Sequence, residues 1–268
     1  LCCLCGKNVR ERLVNAQIKI IVATHKAYDM PDSHMYLTLQ VGSAISPPLP
    51  YAHDNTGSNI SDKNRTFCEL TGLYWTWMNL NADYIGLCHY RRYFAEKPLG
   101  RKWRRILSED TAARLLCSCS VVLPRKRRYW IETNYSQYVH AHHKQDLELT
   151  RRILAESYPA YLPVYDTVIN RTSGHRFNML IMRRDILDAY CKWLFDVLFK
   201  LESRLDISQY SAVDRRVFGY VGERLLDVWI EANHISYSEL PVVNMEYQHW
   251  LIKGSRFLIR RFKGCKEK

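Results

Sequence analysis

The sequence predicts an α/β domain whose central sheet is mixed, mostly parallel and flanked by helices. Two short apolar runs, Ile18–Thr24 and residues 84–88, are typical of strands that are buried on both faces of a sheet. Between them, residues 63–80 carry apolar side chains at helical spacing, so the three segments predict a β-α-β-like unit. A long loop at 42–64, rich in Gly, Pro, Asn and Asp, precedes this helix, and long ordered loops are often functional.

The second half of the chain continues this alternation of helices and strands. Residues 185–205 place apolar side chains in approximate 3.6-residue phase, as in an amphipathic helix that packs on a sheet. The sequence predicts helices at 109–117, 146–157, 185–205 and 213–233, and strands at 120–123 and 176–182.

The composition is that of a basic globular protein. The chain has 268 residues, of which 47% are hydrophobic, and this favours a packed core over disorder. Its formal net charge of +12 favours anionic partners, namely nucleic acid, an acidic membrane or phosphorylated small molecules. Basic residues concentrate at 101–105, 125–128 and 253–268. The last run interleaves cations with Phe and Ile, so we expect either a segment that lies on an anionic membrane or a solvated tail.

The cysteines and the apolar runs exclude several classes of protein. No apolar run approaches the ~18 residues that span a bilayer, and charges interrupt residues 1–14, unlike a signal peptide. The nine cysteines are an odd number, and Cys2, Cys3 and Cys5 lack a nearby fourth partner for a zinc site. We therefore expect reduced, mostly buried thiols, as in a cytosolic protein.

The most informative segment is DYIGLCHYRRYF, at 83–94. An apolar strand here delivers His89, Arg91 and Arg92 at its carboxyl end, which is where open α/β sheets build ligand sites. Two adjacent arginines offer donors for a phosphate or another planar anion. The alternative is a solvated pair that follows an edge strand.

The loop DNTGSNISDKN, at 54–64, has two interpretations. Gly57 can adopt a positive φ, and the Asn and Ser side chains cap turns and bind hydroxyl groups. The loop is therefore either a turn that caps the next helix or a contact for a nucleotide or a sugar.

The segment 132–146 combines histidines, acids and tyrosines. Such a cluster either binds a metal or relays protons, or it consists of surface histidines beside a helix start. The HExxH pattern of zinc proteases is absent. The residues concerned are Glu132, Tyr135, His140, His142, His143 and Asp146.

Two further polar residues lie within apolar segments. Asn178, inside the predicted strand, must be either a satisfied core amide or a ligand contact, because an unpaired buried amide costs about 1–3 kcal/mol. Glu223, on an aromatic helix with Arg215, Arg216 and Arg224, is either part of a structural ion pair or a candidate base.

These segments together resemble the bacterial capsular and exopolysaccharide glycosyltransferases that were long catalogued as a domain of unknown function. The similarity runs from Ile18 to about Trp250, and it rests, in order, on the motifs DNTGSNISDKN, CELTGLYWTWMNL, DYIGLCHYRRYF, IETNYSQYVHAHH, FNMLIM and RVFGYVGERLLDVW. It implies a GT-A-like fold and a UDP-sugar donor, and some related domains transfer galactofuranose with inversion. The family loop usually reads TGDNIS, with an acid where this chain has Ser58.

The resemblance divides the chain into an extension at 1–17, a glycosyltransferase domain at 18–250 and a basic tail at 251–268. GT-A enzymes commonly end a strand with Asp-x-Asp, which holds a metal ion, whereas this strand ends in His89-Tyr90-Arg91. We therefore expect either transfer without a metal cofactor or a metal ion held elsewhere, and arginines that neutralise the departing UDP.

The implied roles complete the hypothesis. The candidate bases are Glu223, His143 and Asp146. The donor would contact Thr24, His25, Lys26, Asp54, Gly57, Asn59, Lys63, His89, Arg91 and Arg92. The sugar and the acceptor would contact Glu132, Tyr135, His140, His142 and Asn178.

We expect a lipid-linked glycan as the acceptor, and an enzyme of capsule, exopolysaccharide or O-antigen synthesis that is cytoplasmic and peripheral at the inner face of the bacterial inner membrane. The alternatives are a retaining hexosyltransferase on the same fold and a basic nucleic-acid-binding protein. No recognised nucleic-acid motif supports the last one.

Overall fold

A computed structural model describes residues 16–129 and 131–246 of the chain. The predicted basic tail and nearly all of the predicted extension lie outside these residues. The domain boundaries therefore remain a prediction.

The strands and helices alternate along the chain, as the sequence pattern indicates. The strands are β1 (Ile18–Thr24), β2 (Tyr36–Gln40), β3 (Ala52–His53), β4 (Tyr84–His89), β5 (Arg92–Phe94), β6 (Val121–Pro124), β7 (Arg127–Arg128), β8 (Ser173–Gly174), β9 (Leu180–Arg183), β10 (Ser238–Leu240) and β11 (Val242–Asn244). The α-helices are α1 (Asn64–Phe67), α2 (Leu70–Asn79), α3 (Glu109–Leu116), α4 (Asn134–Val139), α5 (Lys144–Ser157), α6 (Leu162–Asn170), α7 (Arg184–Arg204) and α8 (Val217–Ala232).

One mixed sheet forms the centre of the described structure. Its main path runs β10-β6-β9-β4-β1-β2-β3, with β5 and β11 paired beyond β4. Strand β1 pairs in parallel with both β2 and β4, whereas β9 runs antiparallel between β4 and β6. The predicted α/β fold, with a mixed and mostly parallel central sheet flanked by helices, is confirmed.

The apolar run of β1 is continuous because both faces of the sheet are covered. Ile21 and Ala23 face a core that is shared with helices α2, α7 and α8. Ile20 and Val22 alternate with them and face a second core on the other side of the sheet. The structure thus explains why these strands lack polar alternation.

The predicted helix at 63–80 is interrupted. Cys68 adopts φ 54° and ψ −132°, which separates α1 from α2. The side-chain amide of Asn64 donates a 2.7 Å hydrogen bond to the Cys68 carbonyl oxygen and satisfies it at the break. The predicted helix at 213–233 likewise begins as α8 only at Val217, after the 3₁₀ turn Asp214–Arg216.

The predicted strand at 176–182 is wrong in its first half. Phe177 and Asn178 have positive φ values of 77° and 52°, so β9 begins only at Leu180. Asn178 therefore precedes the strand instead of lying inside it. The hydrogen bonds of the Asn178 side chain, described below, hold this left-handed turn in place.

The cysteines of the described residues are free thiols, and Cys68, Cys88 and Cys191 are buried. No helix within residues 16–129 and 131–246 has both the length and the apolar character needed to cross a bilayer.

Candidate active site

A cleft of about 1130 Å³ opens at the carboxyl ends of β1 and β4. Helix α1, the start of α8 and the left-handed turn before β9 form its other walls. The central strands therefore deliver their terminal polar residues into one concave space, as expected for an α/β sheet.

The sheet side of the cleft carries imidazole and guanidinium groups. The Nε2 atom of His89 lies 2.6 Å from the Phe177 carbonyl oxygen, which fixes the imidazole against the turn. The guanidinium carbon of Arg92 lies 4.4 Å from the centre of the Phe177 ring. The Arg92 Nε atom is buried without a hydrogen-bond partner among the described residues, and burial lowers the pKa of Arg92. This arginine is thus preorganised and retains an unused donor.

The left-handed turn positions two carboxylates of the cleft. The backbone N–H of Phe177 donates a 3.0 Å hydrogen bond to Oε1 of Glu223. The Asn178 amide donates to Oε1 of Glu69 at 2.7 Å and to the Gly219 carbonyl oxygen at 3.1 Å. Positive φ values are uncommon for residues other than Gly, and such strain concentrates at functional sites.

Close packing of α8 against α1 and α2 brings the helical wall together. A Cβ atom on Gly219 would lie 3.1 Å from the Cys68 sulfur, and one on Gly222 would lie 2.8 Å from a methyl group of Leu70. The Nε atom of Arg216 donates to the Cys68 sulfur at 3.1 Å. Burial raises the pKa of the Cys68 thiol to about 12, so this thiol is protonated at neutral pH.

Cations outnumber anions in the cleft. Its charged residues are Arg65, Arg91, Arg92, Arg215 and Arg216 against the carboxylates Glu69 and Glu223. Burial, together with the nearby Lys26 and Arg91 charges, lowers the pKa of His25 and favours its neutral form.

The arginines differ in their partners. Arg91 forms a 3.3 Å ion pair with Glu246, which also lies 3.5 Å from Lys26. Within the described residues, Arg65, Arg215 and Arg216 form no ion pair with a carboxylate. The cleft therefore favours an anionic ligand.

The structure brings together some of the residues that the sequence indicated. Predicted residues that line the cleft are His25, His89, Arg91, Arg92 and Glu223. The Lys26 amine lies over the ring of Tyr90, which lines the cleft. The Asn178 side chain contacts the cleft indirectly, through its hydrogen bond to Glu69.

Two of the predicted histidines support the cleft from behind. His142 stacks on Tyr220 with ring centres 4.3 Å apart, and His143 stacks on Tyr210 at 4.0 Å. Both tyrosines line the cleft. Asp214 binds both imidazoles, at 3.0 Å and 3.6 Å. The histidines therefore form a supporting layer with one shared carboxylate.

Asp146 and Asp54 are buried away from the cleft. Asp146 accepts 2.6 Å hydrogen bonds from the hydroxyl groups of Tyr138 and Tyr210, and burial raises its pKa. Asp54 accepts hydrogen bonds from the backbone N–H groups of Gly42 and Ser43 and organises the loop before α1. Their contacts are those of structural carboxylates.

The remaining predicted residues also lie outside the cleft lining and have local partners. Thr24 donates to the Lys26 carbonyl oxygen at 2.6 Å, and Lys63 pairs with Glu202 at 2.7 Å. Glu132 lies 2.7 Å from Nδ1 of His140. Gly57 and Asn59 form a turn against α2, and Tyr135 packs on the main core.

Several lining residues were not indicated by the sequence. Glu69 and Arg65 come from the interrupted helix, Phe177 from the left-handed turn, and Tyr210 from the segment before α8. Glu69 and Phe177 lie within two of the motifs that carry the resemblance, but no local pattern at these four positions indicated a place in the cleft. Among residues 16–129 and 131–246, no group of three or more His, Cys, Asp or Glu side chains is arranged to hold a metal ion.

Comparison with known proteins adds two findings. The model of a family described as a domain of unknown function, DUF4422, matches residues 19–234. The apo structure of the WbbM bifunctional glycosyltransferase is similar to this fold, with a TM-score of 0.80 and 30% sequence identity. The similarity covers 86% of this chain and 46% of that one, so this chain corresponds to about half of the solved protein. No curated protein matches the chain.

The family match includes every strand and helix that lines the cleft, from β1 to the end of α8. The chain therefore belongs to the DUF4422 family, a family of domains of unknown function.

Proposed function

We propose that this chain is a glycosyltransferase that transfers a sugar from a nucleoside-diphosphate donor. The observation that carries the proposal is the cleft at the ends of β1 and β4, where five arginines surround two oriented carboxylates. Its likeness to a bifunctional glycosyltransferase supports the same activity.

The arginines suit a diphosphate leaving group. Arg91 and Arg92 lie in the cleft lining just beyond the end of β4, and the buried Nε donor of Arg92 has no partner among the described residues. Guanidinium groups bind phosphate in a bidentate manner and stabilise the charge that develops as UDP departs. UDP-galactofuranose is our first candidate donor.

The carboxylates suit a direct displacement with inversion. Glu223 accepts the proton of the acceptor hydroxyl, the acceptor oxygen attacks the anomeric carbon, and the sugar–phosphate bond breaks with its electron pair on the diphosphate. Glu223 lines the cleft and the Phe177 N–H orients it, whereas two tyrosines enclose Asp146. His143 stacks behind Tyr210. The geometry therefore favours Glu223 as the base.

The same arrangement supports metal-independent transfer. The end of β4 presents His89 and Arg91 where a metal-dependent enzyme would place carboxylates. Clustered guanidinium groups repel a divalent cation and supply the positive charge themselves.

The acceptor and the location complete the proposal. A lipid-linked glycan of capsule, exopolysaccharide or O-antigen synthesis is the proposed acceptor, with the protein peripheral at the inner face of the membrane. The basic run at 253–268 supports this location through its charge pattern, although it lies outside the described residues.

A screen of UDP-sugars tests the proposal. A donor at a hundred times its dissociation constant should stabilise the fold by about 2.7 kcal/mol, which thermal unfolding detects. Transfer to a synthetic acceptor, with the anomeric configuration of the product read by NMR, separates inversion from retention. The proposal is wrong if no nucleotide sugar stabilises the protein or is turned over, and salt-sensitive binding of an oligonucleotide instead would favour the nucleic-acid alternative.

A further inference from the structure

Residues 97–105, KPLGRKWRR, form a loop that projects from the domain and is here called the Leu99 loop. An isolated antiparallel bridge between Ala95 and Ile106 closes its base. Further hydrogen bonds join Glu96 N–H to the Arg105 carbonyl oxygen at 2.9 Å and Leu107 N–H to the Phe94 carbonyl oxygen at 2.9 Å. The base is therefore tied to β5, and the loop extends from a fixed support.

The tip of the loop exposes apolar side chains. Leu99 is 83% exposed, the highest exposure among the large hydrophobic residues of the described chain. Gly100, with φ 115°, has no atom within 4 Å of the position that a Cβ would take, so the tip borders open solvent. Burial of Leu99 in an apolar phase would remove its side chain from water, which is favourable.

A tryptophan links the tip to the core. Trp103 is 42% exposed, and its ring centre lies 6.2 Å from that of the fully buried Tyr93. One part of the indole thus packs on the domain while another part faces outward. Tryptophan in such a half-buried position is typical of membrane–water interfaces.

The flanks of the loop are strongly basic. The Lys97 amine lies 3.5 Å from the Glu96 carboxylate, with which it forms an ion pair. Glu109 and Asp110 follow in the first turn of α3, where the helix N-terminus offsets their charge. The side chains of Arg101 and Arg104 are exposed and form no hydrogen bond or ion pair with described residues. The cations are Lys97, Arg101, Lys102, Arg104 and Arg105.

The loop lies at the rim of the cleft. The Lys102 amine donates to the Met245 and Glu246 carbonyl oxygens at 2.9 Å and 3.3 Å. The Glu246 carboxylate in turn pairs with Arg91 of the cleft. A surface that binds the Leu99 loop therefore lies close to the cleft.

We infer that the Leu99 loop is a membrane-docking element that inserts Leu99 into an anionic lipid surface while its cations bind the headgroups. A bilayer supplies both an apolar layer for Leu99 and negative charge for the arginines. Nucleic acid supplies the charge, but it offers no hydrocarbon for an aliphatic tip. The inference rests on the membrane location in the proposed function and deepens it, because it assigns the contact to a loop within the described residues. Docking requires neither donor nor acceptor, so vesicle binding tests it separately from sugar transfer.

Vesicle flotation of the full chain tests this inference. Wild-type protein should bind vesicles of 30% phosphatidylglycerol in phosphatidylcholine and should bind pure phosphatidylcholine only weakly. Each cation near the surface contributes about fivefold in binding, so Arg101→Ser/Arg104→Ser should bind roughly twenty-fivefold more weakly. Leu99→Glu should lose about tenfold or more, because it removes the apolar anchor and adds a repelled charge.

Matched variants control for charge and for exposed apolar surface. Arg152→Ser/Lys192→Ser removes two exposed cations from α5 and α7, and Ile131→Asp changes another exposed aliphatic residue. Both should bind vesicles as the wild type does. Lipids brominated in their acyl chains should quench part of the tryptophan fluorescence, and Trp103→Phe should remove that part.

Two results would overturn the inference. Wild-type affinity of the Leu99→Glu and Arg101→Ser/Arg104→Ser variants for anionic vesicles would place the contact elsewhere, for example on the basic run at 253–268. Tighter binding to a DNA or RNA duplex than to the vesicles, weakened by the same arginine variants, would make the loop a nucleic-acid contact. The thermal stabilisation of the same variants by a UDP-sugar, measured separately, tests the cleft alone. It therefore distinguishes failure of the proposed function from failure of the docking inference.

Discussion

The backbone N–H of Phe177 donates a 3.0 Å hydrogen bond to the Glu223 carboxylate, so a left-handed turn orients an acid of the cleft. In the same turn, the Phe177 carbonyl oxygen accepts a hydrogen bond from the His89 imidazole, and the Asn178 side-chain amide donates one to the Glu69 carboxylate. Two consecutive residues thus connect the end of β4, the start of α2 and the wall of α8. Because the turn is strained, its hydrogen bonds must outweigh the cost of two positive φ angles.

Substitutions at Asn178 separate the amide contacts from the backbone strain. Asn178→Gly removes the hydrogen bonds to Glu69 and Gly219 but adopts the φ of 52° without steric cost, so we expect a loss of about 2 kcal/mol in stability. Alanine does not tolerate a positive φ as glycine does. The free energy of unfolding of Asn178→Ala should therefore be about 1 kcal/mol lower than that of Asn178→Gly. Urea unfolding of both variants measures the difference. Equal stabilities would show that the left-handed conformation carries no cost here.

Replacement of the strand-end arginines should abolish most of the transfer activity. Arg91→Ala or Arg92→Ala is expected to lower turnover about a hundredfold, because each removes one charge-stabilising donor from the departing diphosphate. Arg92→Lys should also be poor, since an ammonium group cannot reproduce the planar stacking on Phe177. Initial rates with the UDP-sugar found in the screen give the values, and Arg152→Ala is the control. Wild-type rates for both alanine variants would exclude this role.

The sequence predicted the site residues that follow a local pattern. It did not predict those whose contacts join distant parts of the chain. Continuous apolar runs marked β1 and β4, and the rule that ligands bind at strand ends placed His89, Arg91 and Arg92 in the cleft. Glu69 and Asn178 are 109 residues apart and meet only after folding, so no local pattern indicated their contact. The left-handed conformation of Phe177 could not be predicted from the sequence, because a bulky residue rarely adopts a positive φ. Here the tertiary contacts impose it.

Composition alone does not show which acids of the segment 132–146 are buried. The segment 132–146 concentrates histidines and acids, yet Asp146 is enclosed by Tyr138 and Tyr210. A count of polar residues does not distinguish a satisfied internal carboxylate from one that faces a ligand. The partners that decide this, such as Tyr210, lie 64 residues away in sequence.

The base of the Leu99 loop should show a pH-dependent stability. Burial raises the pKa of Glu96, but hydrogen bonds from the Ser108 side chain and backbone outweigh it and lower the pKa from 4.5 to about 2. A carboxyl group with a depressed pKa contributes its stability above pH 4.5 and loses it as the pH falls towards 2. The stability difference between wild type and Ser108→Ala should therefore shrink between pH 4.5 and pH 2. NMR titration of Glu96 gives the pKa, and Ser203→Ala, whose hydroxyl contacts only a described backbone carbonyl, should show a constant difference.

Activity should survive removal of divalent cations. In the proposed mechanism the arginines of the cleft supply the charge that a metal ion supplies in metal-dependent transferases, so EDTA should change the initial rate less than twofold. The measurement is transfer by protein dialysed against EDTA, with and without added Mg²⁺ or Mn²⁺. Full loss on chelation, with recovery on addition of Mn²⁺, would contradict the prediction and point to a metal site that carboxylates such as Glu69 complete with the donor phosphates.

The identity of the base is decided by two isosteric substitutions. Glu223→Gln keeps the carbonyl oxygen that accepts from the Phe177 N–H, so the fold and the binding of the donor should persist. Turnover should nevertheless fall about 10²–10⁴-fold, because an amide cannot take the proton from the hydroxyl group of the acceptor. Asp146→Asn replaces a buried acceptor of two tyrosine hydroxyl groups, so it should lower the melting temperature while the folded fraction remains active. Rates per folded molecule, with donor affinity from thermal shifts, separate these effects. An active Glu223→Gln variant and an inactive but fully folded Asp146→Asn variant would contradict this assignment. The proton would then pass from the acceptor to Asp146 through the Tyr210 hydroxyl group, which would contact the acceptor in the cleft.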